Sequence, residues 1–245
     1  MCGDANNIFN FEQISNNQMQ NLFYSNNLTN EVLILEDQEA AHCSLVLRKK
    51  VGDVIYVIDG KGNRYKCGID AVSKRDVKCS VLEIESKPQS EHITIAIAPT
   101  KNRDRLEWMV EKLVEIGVRQ IILLHTANTE RSRTNLERLD KKAVSAVKQS
   151  LRFYIPEIVE MDFKEVIKLD ASEKYIAHCY DEQPKSSSQL TTNQSTNQLI
   201  LIGPEGDFTT TEVQQAFDAG FQGLDLGEFR LRTETAAIVA VARFQ

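Results

Sequence analysis

Residues Leu199–Thr209 read LILIGPEGDFT. Four aliphatic side chains run straight into Gly203-Pro204-Glu205-Gly206, and Thr209 with Glu212 three positions on has the spacing of a capping box at a helix start. An unbroken apolar strand suits a parallel sheet covered on both faces, whereas a half-exposed strand alternates. Strand, glycine-flanked turn and helix together form the unit of an α/β sheet, in which ligands sit beyond the carboxyl ends of the strands. Glycines there let backbone groups approach a cofactor closely, although a turn needing them only for its own geometry reads the same way.

The rhythm continues on both sides. Ile93–Ala98 (ITIAIA) and Gln120–Leu124 are buried strands, and Tyr175–Cys179 is a further one. Asn102–Ile116 is a helix with Leu106, Met109, Val110, Leu113 and Val114 on one side, stopped by Gly117. Leu136–Leu151, Thr210–Ala219 and Glu234–Phe244 complete the helices, with Pro156 beyond the first of these. Residues 89–245 are therefore an α/β domain with a mostly parallel sheet. Gln183–Gln198 (QPKSSSQLTTNQSTNQ) interrupts it with polar, low-complexity sequence that reads as a mobile loop.

Ahead of Lys87-Pro88-Gln89-Ser90 the pattern is β structure. Glu31–Glu36, Val54–Asp59, Tyr65–Asp70 and Val77–Glu85 are short and rich in β-branched residues, and Gly60-Lys61-Gly62-Asn63 makes a hairpin connection. Such spacing predicts a small barrel over residues 19–88. Residues 1–18 are polar, lack the charged and apolar regions of a secretory signal, and read as a loose leader.

Five cysteines without a CxxC pair and four scattered histidines argue for a reducing, cytoplasmic setting and against a metal site. The net charge of −6 conceals a basic middle: residues 41–90 hold ten basic and six acidic side chains, and residues 101–152 hold twelve and seven. That unevenness can present a positive face to phosphates, and it equally suits an ordinary solvated surface. There is no GxGxxG after a strand, no GxxxxGK[ST] and no Gly-x-Ser-x-Gly elbow.

A second loop, Leu224–Ala237 (LDLGEFRLRTETAA), repeats the theme. A short strand ends at Gly227, then Arg230 and Arg232 lead to Thr233, a good N-cap, and to Glu234, whose charge complements the helix dipole. The helix that follows is apolar on nearly every side, which a subunit interface would cover.

Together these stretches resemble the RsmE family of the SPOUT (trefoil-knot) methyltransferases, the 16S rRNA uridine N3-methyltransferases. The resemblance runs from about Met19 to the end, through HCSLVLRKKVGD (His42–Asp53), Pro99-Thr100-Lys101, EWMVEKLVEIGV (Glu107–Val118), Glu130-Arg131-Ser132, Asn135–Arg138, Gln149-Ser150-x-Arg152, LIGPEGDFT and LG-x-x-x-LRTETA. The chain departs from the family pattern at Asp207, where a second glycine is common, and at Phe229-Arg230, which replaces the usual Arg-aliphatic pair.

The resemblance implies a PUA-like β-barrel followed by a trefoil-knot methyltransferase domain working as a homodimer. It implies S-adenosylmethionine held by Thr100, Leu201, Ile202, Gly203, Pro204, Glu205, Gly206, Leu226, Gly227, Leu231, Arg232, Thr233, Thr235 and Ala236. Transfer needs aligned substrates and help for uracil N3 to lose a proton. Arg232 is the candidate for stabilising charge on the uracil oxygens, or for holding a phosphate, with Glu205 and Glu234 the nearest carboxylates for base or orienting roles. The 16S rRNA of the small subunit would meet Arg48, Lys49, Lys50 and Arg64 of the barrel, with Arg131, Arg133, Arg138, Lys141, Lys142, Lys148 and Arg152 extending the surface. Two alternatives remain at this point. One is a ribosome-assembly protein with the fold but no transfer, distinguished by cofactor binding; the other is an enzyme for another RNA position, distinguished by which nucleoside gains the methyl group.

Overall fold

The computed structural model describes residues 22–29, 31–73, 75–130, 134–180 and 196–245. The leader at 1–18, Arg131 and Arg133, and most of the polar stretch from 183 onward lie outside these residues. The chain divides into two compact units, 1–87 and 88–245.

The first unit is a six-stranded sheet in the order β1-β4-β5-β6-β3-β2. Its strands are β1 (Leu22–Tyr24), β2 (Leu28–Thr29), β3 (Val32–Glu36), β4 (Val54–Ile58), β5 (Asn63–Val72) and β6 (Asp76–Ser86). The β4–β5 turn is fixed by Asp59, whose carboxylate accepts the N–H groups of Lys61 and Asn63 at 2.7 and 3.0 Å. Alternate residues point inward: Ile55 and Val57, Tyr65, Cys67 and Ile69, Val77 and Cys79 share one core with Phe23 of β1 and with Leu33 and Leu35 of β3. Because β1 at one edge and β3, four strands away, contribute to the same cluster, the sheet curls on itself. A short helix, α1 (Asp37–Ala41), runs into a π-turn (His42–Val46) that carries Cys43 into the core.

The second unit is a six-stranded sheet in the order β12-β10-β11-β7-β8-β9, and all five pairings are parallel. The strands are β7 (Ile93–Ile97), β8 (Gln120–His125), β9 (Glu157–Asp162), β10 (Glu173–Ala177), β11 (Gln198–Ile202) and β12 (Gln222–Leu224). The helices are α2 (Arg103–Ile116), α3 (Leu136–Ser150), α4 (Phe163–Val166), α5 (Thr210–Asp218) and α6 (Thr233–Ala242). Every residue of β11 is buried, as its aliphatic run requires. Gln198 is part of that strand and 1% exposed, so the polar interruption ends before it. The Asn102 side chain accepts from Asp104 and Arg105 N–H to start α2, and Gly117 at φ +108 closes it. Thr209 and Glu212 form the capping box of α5. At α6, however, Arg232 holds the N-cap position without a side-chain bond, and Thr233 is the first helical residue and buried. Among the described residues no helix is long and apolar enough to cross a membrane.

Candidate active site

The carboxyl ends of β7 and β11 lie side by side, with Ile97 opposite Ile202 and Ala98 N–H donating to the Ile202 carbonyl at 3.0 Å. Thr100 and Gly203–Gly206 therefore leave the sheet together. On the far side of β10, β12 ends at Leu224, and the loop 225–232 returns toward them. Arg230 Nη2 donates to the Glu205 carbonyl at 2.7 Å, joining the two glycine-flanked loops. The base of the second loop is fastened at Asp225, whose side chain accepts from Gly227 N–H at 2.9 Å and whose carbonyl accepts from the Arg243 guanidinium.

A third segment, which the sequence did not single out, supports the first loop. Ala127 N–H donates to Glu212 at 2.8 Å, and Asn128 Nδ2 donates to the carbonyls of Gly206 and Asp207 at 3.3 and 3.0 Å. Asp207 adopts φ +61, the left-handed region that explains a glycine in the family pattern; aspartate tolerates it when its carboxylate is used locally. Here that carboxylate accepts from Phe208 N–H at 2.7 Å and from Cys179 N–H at 2.8 Å. Gly203 is required for packing: a Cβ there would lie 3.0 Å from the Phe208 ring and 3.2 Å from Phe208 N. Gly227 differs, since at φ +121 it has no heavy atom within 4 Å of the missing Cβ, and its backbone faces open space.

The remaining candidates divide by environment. Thr100, Leu201, Ile202 and Gly203 are buried; Pro204, Leu226, Leu231 and Ala236 are half-buried; Glu205, Gly206, Gly227, Arg232 and Thr235 are exposed. Among the described residues Arg232 has no ion pair. Glu234 is 6% exposed, with Arg105 Nε of α2 at 3.7 Å. Arg105 is a neighbour the sequence did not reveal, because only the α2–α6 packing brings it there.

The proposed RNA cations are not equivalent. Arg48 and Lys50 are exposed and Lys49 half-buried, with no ion pair among the described residues. Arg64 pairs with Glu85 and Arg138 with Glu107, each at 2.5 Å; Lys141 pairs with Glu137 at 2.7 Å and Lys142 with Glu111 at 3.2 Å. Arg152 is engaged within the chain. Its guanidinium donates to the Glu115 carbonyl at 3.0 and 3.1 Å, to the Ile116 carbonyl and to Glu91 at 3.0 Å. It caps the carboxyl end of α2, a structural engagement of most of its donors.

Three buried thiols among the described residues are unreactive core groups. Burial pushes Cys43 up to about 11 and Cys67 and Cys79 up to about 12, which keeps them as protonated core residues. No group of three or more metal-ligating side chains occurs among the described residues.

The match to known proteins falls on these same two units. The RNA methyltransferase domain model matches residues 86–245 and the RNA methyltransferase PUA domain model matches residues 35–82. The chain is 28% identical over 218 residues to a ribosomal RNA small subunit methyltransferase E of Rickettsia conorii, covering 87% of this chain and 88% of that one. Its fold matches the crystal structure of a probable rRNA-methyltransferase from Porphyromonas gingivalis with a TM-score of 0.79, at 40% identity over 90% and 95% of the two chains. It also matches a ribosomal RNA small subunit methyltransferase E from Neisseria gonorrhoeae bound to S-adenosyl methionine, with a TM-score of 0.76 at 28% identity over 90% and 94%.

Proposed function

We propose, for a chain that belongs to the RNA methyltransferase family, one reaction: transfer of the methyl group of S-adenosylmethionine to ribosomal RNA. The protein is an rRNA methyltransferase with a PUA domain, and S-adenosylmethionine is its cofactor. The finer reading is methylation of N3 of one uridine in 16S rRNA. The observation that carries the site is the clasp of Arg230 on the Glu205 carbonyl, which unites the two glycine-flanked loops at the carboxyl edge of the sheet, where α/β proteins bind ligands.

S-adenosylmethionine supplies a methyl group already activated on a sulfonium. The residues present fit it: main-chain groups of Leu201–Gly206, of Leu226 and Gly227, and of Leu231, Arg232, Thr233, Thr235 and Ala236 are the candidates to hold its adenosine, and Gly227 offers bare backbone on the open side. The chain must also position the base and favour its N3-deprotonated form. Arg232, exposed and without an ion pair among the described residues, is the side chain for charge developing on the uracil oxygens. Exposed Glu205 is the candidate to take or orient the proton. Glu234 lies beside Arg105, so positioning is the role its surroundings support. Arg48, Lys49 and Lys50 are the barrel cations left for phosphate.

The protein works as a homodimer in this reading, with its last helix beside the trefoil-knot site. In α6, Ile238 and Val239 stay half-exposed although the helix is apolar nearly all round; a second copy covers them at least cost in exposed apolar area. Nucleoside mass spectrometry of 16S rRNA from cells lacking this protein tests the reaction. Loss of one N3-methyluridine, restored by the wild-type gene and not by Arg232→Ala, is expected. An unchanged N3-methyluridine content overturns the reading, and loss of a different methylated nucleoside reassigns the target atom.

A further inference from the structure

Phe229 is 79% exposed, the most exposed of the large hydrophobic side chains in the described residues. It sits in the loop 225–232, and that loop is not slack. Its base is tied at Asp225 by Gly227 N–H and Arg243, and its far side is clasped by Arg230 on Glu205. An aromatic ring is thus held out to solvent by a fastened loop, one of the two glycine-flanked loops at the candidate cofactor site. Leaving such a ring in water gives folding nothing, since its apolar area is buried against no neighbour. The position is also where this chain departs from the family pattern, an aromatic standing in place of the usual arginine.

We infer that Phe229 is a base-stacking residue: its ring takes the face of an RNA base at or next to the methylated nucleotide when the target is drawn out of its own stack. The inference rests on the reading of this site as an rRNA methyltransferase site. A base cannot present a ring nitrogen to the methyl donor while it stays stacked and paired, and extruded bases are held between aromatic or apolar side chains. An aromatic face accepts any base, so the ring can replace lost stacking without specifying sequence. Arg232, three residues on, is exposed and has no ion pair among the described residues; a cation and an aromatic on one loop suit a nucleotide, the cation taking phosphate or base oxygen and the ring the base. The pairing of an open cation with an open aromatic ring fits phosphate and base together, which is the argument for RNA as the occupant.

The test uses the full-length protein with unmethylated small ribosomal subunits, radiolabelled S-adenosylmethionine, and a fluorescent RNA oligonucleotide carrying the target sequence. Phe229→Ala should weaken oligonucleotide binding and raise KM for subunits about tenfold, a loss in the range found when one stacking side chain is removed. S-adenosylmethionine affinity, melting temperature and mass in solution should stay at wild-type values. Phe229→Trp and Phe229→Tyr should restore binding, and the new indole of Phe229→Trp should be quenched as RNA is added. Phe229→Leu should behave like Phe229→Ala; full rescue by leucine overturns stacking, because it shows a merely apolar contact. Unchanged RNA affinity in Phe229→Ala, or conversion of that variant to a smaller assembly in light scattering, also overturns it. If wild type binds RNA but transfers no methyl group, the enzymatic reading fails, while the oligonucleotide measurements still decide the role of Phe229.

Discussion

Arg152→Ala separates a structural cation from an RNA contact. In the folded chain the Arg152 guanidinium satisfies carbonyls at the carboxyl end of α2 and pairs with Glu91, whose side chain is only 9% exposed. A hydrogen bond from a charged donor nets about 1.5–3 kcal/mol, and breaking a fully buried pair costs about 3–5 kcal/mol. A quarter of the Arg152 side chain remains exposed, so the low end applies and the loss should be on the order of 3 kcal/mol. A domain of roughly 150–250 residues moves by about 2–4 °C per kcal/mol, so the melting temperature should fall by roughly 6–12 °C. Arg152→Lys should recover only part, because one ammonium cannot span the same carbonyls as a fork. Gly117→Ala should destabilise through the same contact, since a Cβ there would lie 2.4 Å from the guanidinium in addition to the strain of φ +108. The assay is thermal unfolding alongside rRNA affinity over a salt series. An unchanged melting temperature, with weaker RNA binding and a salt slope reduced by about one, would refute the structural assignment.

Gly203→Val should destabilise the second unit by about 1–3 kcal/mol, read in urea unfolding, as well as weakening S-adenosylmethionine binding, because fully buried Phe208 occupies the space a side chain would need; stability within 0.5 kcal/mol of wild type would contradict that packing. Arg232→Ala should lower kcat by at least tenfold with cofactor affinity and melting temperature near wild type, since its side chain is exposed and has no ion pair among the described residues; melting temperature and activity falling together would make it a structural arginine. Cys43, Cys67 and Cys79 are held protonated in the fold, with values up to about 12 against 9.0 for a free thiol. Above pH 9 the unfolded chain therefore binds fewer protons than the folded one, and stability should fall by up to about 1.4 kcal/mol per pH unit for each thiol, checked by urea unfolding between pH 8 and 11. Ile238→Glu should give a smaller assembly in light scattering at micromolar concentration, and an unchanged mass would remove α6 from the subunit interface.

Much of the fold was legible because local rules write it into the chain. The nearly continuous apolar runs at 93–97 and 199–202 report strands buried on both faces, and Asn102, Thr209, Glu212 and Gly117 report helix ends through bonds to groups within four residues. The failures have the same origin. Thr233 has the chemistry of an N-cap, but α6 begins one residue earlier, with Thr233 buried as its first helical residue. β1, β2, β9 and the π-turn at 42–46 carry weak periodicity and exist through their neighbours.

By itself, the sequence determined the two-part organisation, the glycine-flanked loops and the helix caps, because periodicity and capping act over a few residues. Only the tertiary structure decided which cations are free and which loops share a site. Arg152 meets Glu91 and the Glu115 carbonyl across 61 and 37 residues, Asn128 meets Gly206 across 78, and Arg230 meets Glu205 across 25. Those encounters follow from the strand order β12-β10-β11-β7-β8-β9, which sets side by side the ends of strands far apart in the chain. Charge and hydrogen-bond partners are chosen by distance in space, and no local pattern encodes that distance.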